Sequence, residues 1–146
     1  MMSAIPAVVQ RYMEGLKRHN VEGIAETVSD DLAFVTPAKT LTKSQFLQML
    51  RALYAGFPDW HYQHGPPEVR GDVTRVRWRQ GGTHTGTFAL PGSEPMPATG
   101  RVVQIPEQDF FYTVRGSKIV EIRPEPIPGG APAGIFEQIG AASHLF

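Results

Sequence analysis

Residues 76–88, VRWRQGGTHTGTF, constrain the fold more than any other stretch of this chain. They alternate in character with the period of a β-strand, whose successive side chains point to opposite faces. Read as one continuous strand, the stretch puts Val76, Trp78, His84 and Phe88 on one face. Thr83, Thr85, Thr87 and the arginines 75, 77 and 79 share the other. The first face is bulky and apolar apart from one imidazole; the second tolerates water. Gly81, Gly82 and Gly86 remove side chains beside the histidine, where a ligand or another backbone would approach closely. A bulge at Gly81-Gly82 would shift the parity.

The first half of the chain has a different period. Ile5, Val8, Val9, Tyr12, Met13 and Leu16 recur at three- and four-residue steps, the stripe of a helix over residues 3–19. Ser3 is its expected N-cap, and Pro6 is tolerated in the first turn. Asn20 caps a second helix over 21–28, with Ile24, Ala25 and Val28 inward. A short strand over 32–36 stops at Pro37. Thr42-Lys43-Ser44-Gln45 matches a capping box. The helix it opens runs to about Phe57, burying Phe46, Leu47, Leu50, Leu53, Tyr54 and Phe57, and Pro58 ends it.

From there strands dominate. Residues 60–64 read as a strand, Arg70-Gly71-Asp72 as the turn into the alternating stretch, and 91–100 as a loop. Residues 101–114 read as a strand in which Pro106 predicts a bulge. Arg115-Gly116-Ser117-Lys118 is a hairpin turn and 119–123 the return strand. Residues 124–134 hold four prolines and three glycines, which excludes helix and central strand. Residues 135–139 form one closing helical turn. Helices first and an antiparallel sheet afterwards is an α+β layout. A strongly curved sheet wrapped by helices makes a cone, and its interior is the natural pocket.

The 146 residues fit one domain, 1–146. Lys plus Arg and Asp plus Glu both number 14, so there is no general attraction to nucleic acid or anionic membrane. The absence of cysteine excludes disulfides and thiol catalysis. No apolar run approaches the ~20 residues of a membrane span, and no secretion signal is visible, so the expected location is cytoplasmic. His61 and His64 stand three apart with no further ligands, and no phosphate loop or Gly-x-Ser-x-Gly elbow occurs.

Phe57-Pro58-Asp59-Trp60, Val76-Arg77-Trp78, Gly82-Thr83-His84-Thr85-Gly86, Pro97-Ala98-Thr99-Gly100-Arg101, Lys118-Ile119-Val120-Glu121 and Gln138-Ile139-Gly140 occur in this order. Together they resemble the SnoaL-like polyketide cyclase family, within the nuclear-transport-factor-two-like superfamily. The resemblance covers nearly the whole chain. It implies an α+β, cystatin-like cone with three N-terminal helices on a strongly curved antiparallel sheet, a homodimer or larger assembly, a deep apolar pocket and no metal or organic cofactor. It also implies intramolecular aldol closure of a polyketide ring, with an aspartate moving the proton. The span matching that aspartate, residues 123–134, contains no aspartate, and Glu125 is its only carboxylate.

Three residues are therefore candidates for catalysis. His84 matches the family's Gly-x-His-x-Gly histidine and would donate to a substrate carbonyl or act as acid or base, since its ordinary pKa lies near neutrality. Glu125 would act as a base if an apolar pocket raised its pKa. Asp109 lies mid-strand and faces either the pocket or the opposite surface, there paired with an arginine. Phe34, Tyr54, Trp60, Trp78, Phe88, Phe110 and Tyr112 are the candidate ligand-binding residues, with core packing as the alternative for each. Two functions follow. One is a cofactor-free proton-transfer protein, aldol cyclase or isomerase, acting on a small, mostly apolar, oxygenated molecule. The other is a non-catalytic binding or assembly module that has lost the acid/base.

Overall fold

The stripe of the first helix is buried as its spacing predicts. Helix α1 (Ala7–Lys17) buries Val8, Val9, Tyr12, Met13 and Leu16. Pro6 takes the position before the first helical residue. Ser3, the expected cap, lies outside residues 4–141, which this computed structural model describes. Helix α2 (Val21–Thr27) is capped by Asn20, whose Oδ1 accepts from the Gly23 amide at 3.0 Å. Helix α3 (Lys43–Gly56) opens on the expected capping box: Thr42 Oγ1 accepts from Gln45 N at 3.2 Å, and Gln45 Oε1 accepts from Thr42 N at 3.0 Å. Thr42→Ala removes half of it and is expected to lower stability by about 1 kcal/mol. A urea midpoint that falls at unchanged slope would show this; an unmoved midpoint would mean the box contributes nothing.

Among the described residues seven strands form one sheet: β1 (Val28–Val35), β2 (Thr40–Leu41), β3 (His61–His64), β4 (Glu68–Arg70), β5 (Val73–Thr83), β6 (Val102–Arg115) and β7 (Lys118–Pro124). Their order is β2-β1-β7-β6-β5-β3, with β4 paired beside β5. The sheet is mixed, where the sequence reading has it antiparallel. Strand β1 runs parallel to β7, Phe34 opposite Ile122, and the intervening chain supplies the long crossover that a parallel pair needs. A fourth short helix, α4 (Ala133–Gln138), extends the expected closing turn.

Strand β5 ends at Thr83, so the alternating stretch is not one continuous strand. His84 and Phe88 lie beyond it, both buried, and Phe88 forms only an isolated bridge to Met96. The parity of the strand itself holds: Val76, Trp78 and Gln80 are buried, while Arg77 and Arg79 are exposed. No bulge forms at Gly81-Gly82, which pair regularly with Gln104 and Val103. The bulge is in β6. Trp78 pairs with Gln108 and Gln80 with Ile105, so Pro106 and Glu107 together face Arg79. Proline cannot donate to the ladder, and the extra residue bends the strand into a curved, unclosed sheet.

Helices α1, α3 and α4 pack on this sheet, and the core lies between. Val76, Trp78, Phe110, Tyr112 and Ile122 supply its sheet side, and Val9, Tyr12, Phe46, Leu50 and Phe136 its helix side. Among the described residues no helix is long and apolar enough to cross a membrane.

Candidate functional site

The curved sheet and the helices leave an apolar cavity of about 50 Å³. Phe34, Phe46, Leu50, Trp78 and Phe110 form much of its wall, and Ala131, Pro132 and Ile135 close it on one side. Four polar side chains reach it: Tyr12 from α1, Tyr62 from β3, Gln80 from β5 and Tyr112 from β6. Among the described residues no carboxylate and no imidazole lines it.

The phenols form two connected groups. Trp78 Nε1 donates to Tyr112 Oη at 2.9 Å, which leaves the Tyr112 O–H to donate toward Tyr12 or into the cavity. The Tyr12 and Tyr112 rings meet at 5.1 Å. Tyr54 and Tyr62 share a hydroxyl–hydroxyl hydrogen bond of 2.7 Å, and His19 stacks on Tyr54 at 4.0 Å. Burial pushes the pKa of all four tyrosines up, and for Tyr12 and Tyr62 neighbouring tyrosine hydroxyls push it further. They stay protonated near neutral pH. They can hold a carbonyl or phenol oxygen; they cannot serve as bases. Trp60 Nε1 donates to Gln80 Oε1 at 3.2 Å, which turns the Gln80 amide nitrogen into the cavity's other donor.

None of the three candidate catalytic residues is in this lining. His84 is fully buried, with its ring stacked on Phe57 at 5.1 Å. Its Nδ1 accepts from the Thr99 amide at 3.2 Å and lies 2.9 Å from Thr99 Oγ1. The ring proton therefore sits on Nε2, which has no partner among the described residues. Burial lowers the His84 pKa. Asp109 points to the other face of the sheet, where Oδ1 meets Arg77 Nε at 3.0 Å and Oδ2 meets Arg75 at 3.3 Å. It shares that odd face because Asp109 is registered against Arg77. Glu125 is half-buried at the end of β7, its Oε1 accepting from the Asp109 amide at 3.2 Å. The structure brings Asp109 and Glu125 together and keeps both away from His84's surroundings.

The arginine face is compensated within the chain. Arg75 also pairs with Glu68 at 2.6 Å and Arg79 with Glu107 at 3.2 Å. The glycines beside His84 admit protein rather than ligand. A Cβ at Gly81 would lie 2.6 Å from the Val103 carbonyl oxygen, one at Gly82 would lie 2.9 Å from the Trp60 ring, and one at Gly86 would overlap the Ala55 carbonyl.

The SnoaL-like polyketide cyclase description matches residues 7–125. The chain belongs to the SnoaL-like polyketide cyclase family. No curated protein matches it. Among solved structures it is similar to a candidate SnoaL-like polyketide cyclase from Jannaschia, at 18% identity and TM-score 0.66, over 86% of this chain and 89% of that one. It is similar to IdmH, a candidate polyketide cyclase from Streptomyces antibioticus, at 21% identity and TM-score 0.63, over 81% and 88%. A third is a ketosteroid-isomerase-like fold from Catenulispora acidiphila in complex with trimethylamine, at 17% identity and TM-score 0.64, over 96% and 97%. At these identities the likeness is one of fold.

Within this SnoaL-like cone, four of the seven candidate ligand-binding aromatics line the cavity: Phe34, Trp78, Phe110 and Tyr112. Tyr54 stands behind Tyr62, Trp60 packs edge-on against Phe57, and Phe88 packs on Phe136. Sequence reading missed Tyr12, Tyr62 and Gln80. Gln80 carried a signal, being an amide on the otherwise bulky, apolar even face around Trp78. Tyr12 carried none, because a tyrosine in a helix stripe reads as core.

Proposed function

We propose that this SnoaL-like chain binds a small, mostly apolar, oxygenated molecule in its aromatic cavity and does not perform the acid–base ring closure of catalytic members. One observation carries the reading: among the described residues the polar lining consists of tyrosine hydroxyls and a glutamine amide, with no carboxylate or imidazole. Such a set donates hydrogen bonds to a ketone, enol or phenol oxygen, while the apolar wall takes the ring. Proton abstraction beside a carbonyl needs a base within hydrogen-bond reach, and the described lining offers none. The protein works without a cofactor, in the cytoplasm, as the homodimer the family resemblance implies.

A panel of small ketones and phenols tests this. Phenol or 2-tetralone is expected to raise the melting temperature and to change Trp78 fluorescence. Tyr112→Phe should weaken binding roughly fivefold by removing one hydrogen bond worth about 1 kcal/mol. No shift with any compound would refute ligand binding. Catalysed deuterium exchange at the α-carbon of 2-tetralone would refute the non-catalytic reading and restore the cyclase or isomerase one. Light scattering at twice the 16.1 kDa chain mass is expected for the dimer.

A further inference from the structure

One side chain holds the wall of the cavity in place. Gln108 is 1% exposed on the inner face of β6, opposite Trp78 and next to the bulge. Its Nε2 donates to the Glu125 carbonyl at 2.8 Å and to the Ala131 carbonyl at 3.1 Å. Its Oε1 accepts from the Ala131 amide at 2.8 Å. Among the described residues, the hydrogen bonds that tie residues 126–132 to the sheet all end on this one amide; the others join the segment to itself or to α4. Gly130 permits the approach, because a Cβ there would stand 2.7 Å from Gln108 Nε2.

The two residues on either side of the held peptide form a thin partition. Ala131 and Pro132 line both the inner cavity and an outer crevice of about 180 Å³, whose wall includes Glu125 and Ile127. An inner space of about 50 Å³ is far below the roughly 300–1,000 Å³ of ordinary small-molecule sites. A flat two-ring molecule does not fit until something moves. The rest of the wall is helix and sheet, held by backbone ladders. The segment 126–132 has no ladder; two hydrogen bonds from Gln108 fasten it at Ala131, and a third from the same amide holds Glu125 just before it. Met49 is the other thin point, lining the cavity and a separate crevice beside α3.

We propose that Gln108 sets the size of molecule this site admits, by fastening residues 125–131 as a strap across the cavity. Release of the strap joins the cavity to the crevice and brings Glu125 to the edge of the site. The proposal rests on the cavity being a ligand site. It assigns Gln108 a positioning role, exerted through the strap rather than by touching the ligand.

Stopped-flow Trp fluorescence with phenol and 2-naphthol on the full chain, together with amide hydrogen exchange, tests it. In the wild type, 2-naphthol is expected to associate more slowly than phenol. Gln108→Leu removes the clasp, and Gly130→Ala wedges it apart while leaving β6 intact. Each should speed 2-naphthol association roughly tenfold, phenol much less, and accelerate Ala131 amide exchange while leaving Phe110 unchanged. Association that Met49→Ala speeds and Gln108→Leu does not would overturn the proposal, with ligand binding intact. So would an Ala131 amide that exchanges no faster in Gln108→Leu. Faster exchange with neither probe bound in any variant would overturn the size-setting role and the ligand reading together.

Discussion

Trp78→Ala is expected to lower stability by about 3–5 kcal/mol, within the range for truncating a fully buried aromatic. Trp78 is 2% exposed and sits edge-on to both Tyr62 and His64, with ring centroids 5.5 and 5.2 Å away. Its Nε1 is the donor to Tyr112 Oη. Truncation removes the ring contacts, leaves a buried hydroxyl without that donor, and adds the volume of an indole to the cavity. Trp78→Phe keeps most of the packing and loses the donor, so its loss should be smaller. Urea unfolding of both variants orders the effects. The same enlargement makes a second expectation: 2-naphthol should raise the melting temperature of Trp78→Ala more than that of the wild type. A loss below about 1 kcal/mol would mean the surroundings collapse into the space, and the cavity would then not be a formed site.

That residue also shows how far the sequence could be read. The alternation around Trp78 gave the strand, its buried face and the tryptophan's place in the cavity, because period two is a property of the backbone and survives into the fold. Where the strand would stop was not legible. The bulge that Pro106 predicts does form in the partner strand, but the chain after Thr83 is held by contacts with Arg101, Gly56 and Met96 that are distant in sequence. The parallel pairing of β1 with β7 was hidden for the same reason. Local features did better. The Thr42 capping box, the Asn20 cap and the Arg115–Lys118 turn each depend on neighbouring residues alone, and each formed.

The site was legible in kind more than in detail. An aromatic-lined interior follows from the composition of the inward faces. Which aromatics meet there depends on register. Asp109 shows the limit: parity allowed two faces, and its registry with Arg77 placed it under the arginines. Gly81, Gly82 and Gly86 signalled a close approach correctly, but the approaching atoms are Val103, Trp60 and Ala55. A missing side chain says that something comes near and leaves its identity open. Gln108 had no sequence signature at all, since its three acceptors and donors are backbone atoms of a segment 17 to 23 residues away.

Stability is expected to fall as pH drops below about 6.5, with His84 as the source. The Thr99 amide already donates to Nδ1, so adding a proton there would set two donors against each other in a fully buried place. Burial accordingly lowers the folded-state pKa beneath the unfolded value of about 6.5. Between the two values the unfolded chain binds a proton that the folded chain does not, so stability rises with pH across that window. It is fully present above about 6.5 and lost as pH falls toward the folded value, at no more than about 1.4 kcal/mol per pH unit. Asp59, held down chiefly by the Thr83 amide, titrates in a separate window below the usual carboxylate range. His84→Asn can keep an acceptor for the Thr99 amide while removing the titration. Its overall stability should be lower, because the Phe57 stacking is lost, and its profile between pH 5 and about 7 should be flat. Urea midpoints of wild type and His84→Asn across that range decide the matter. An equal slope in both would show that the pH dependence originates elsewhere and that His84 is not the buried group holding its proton off.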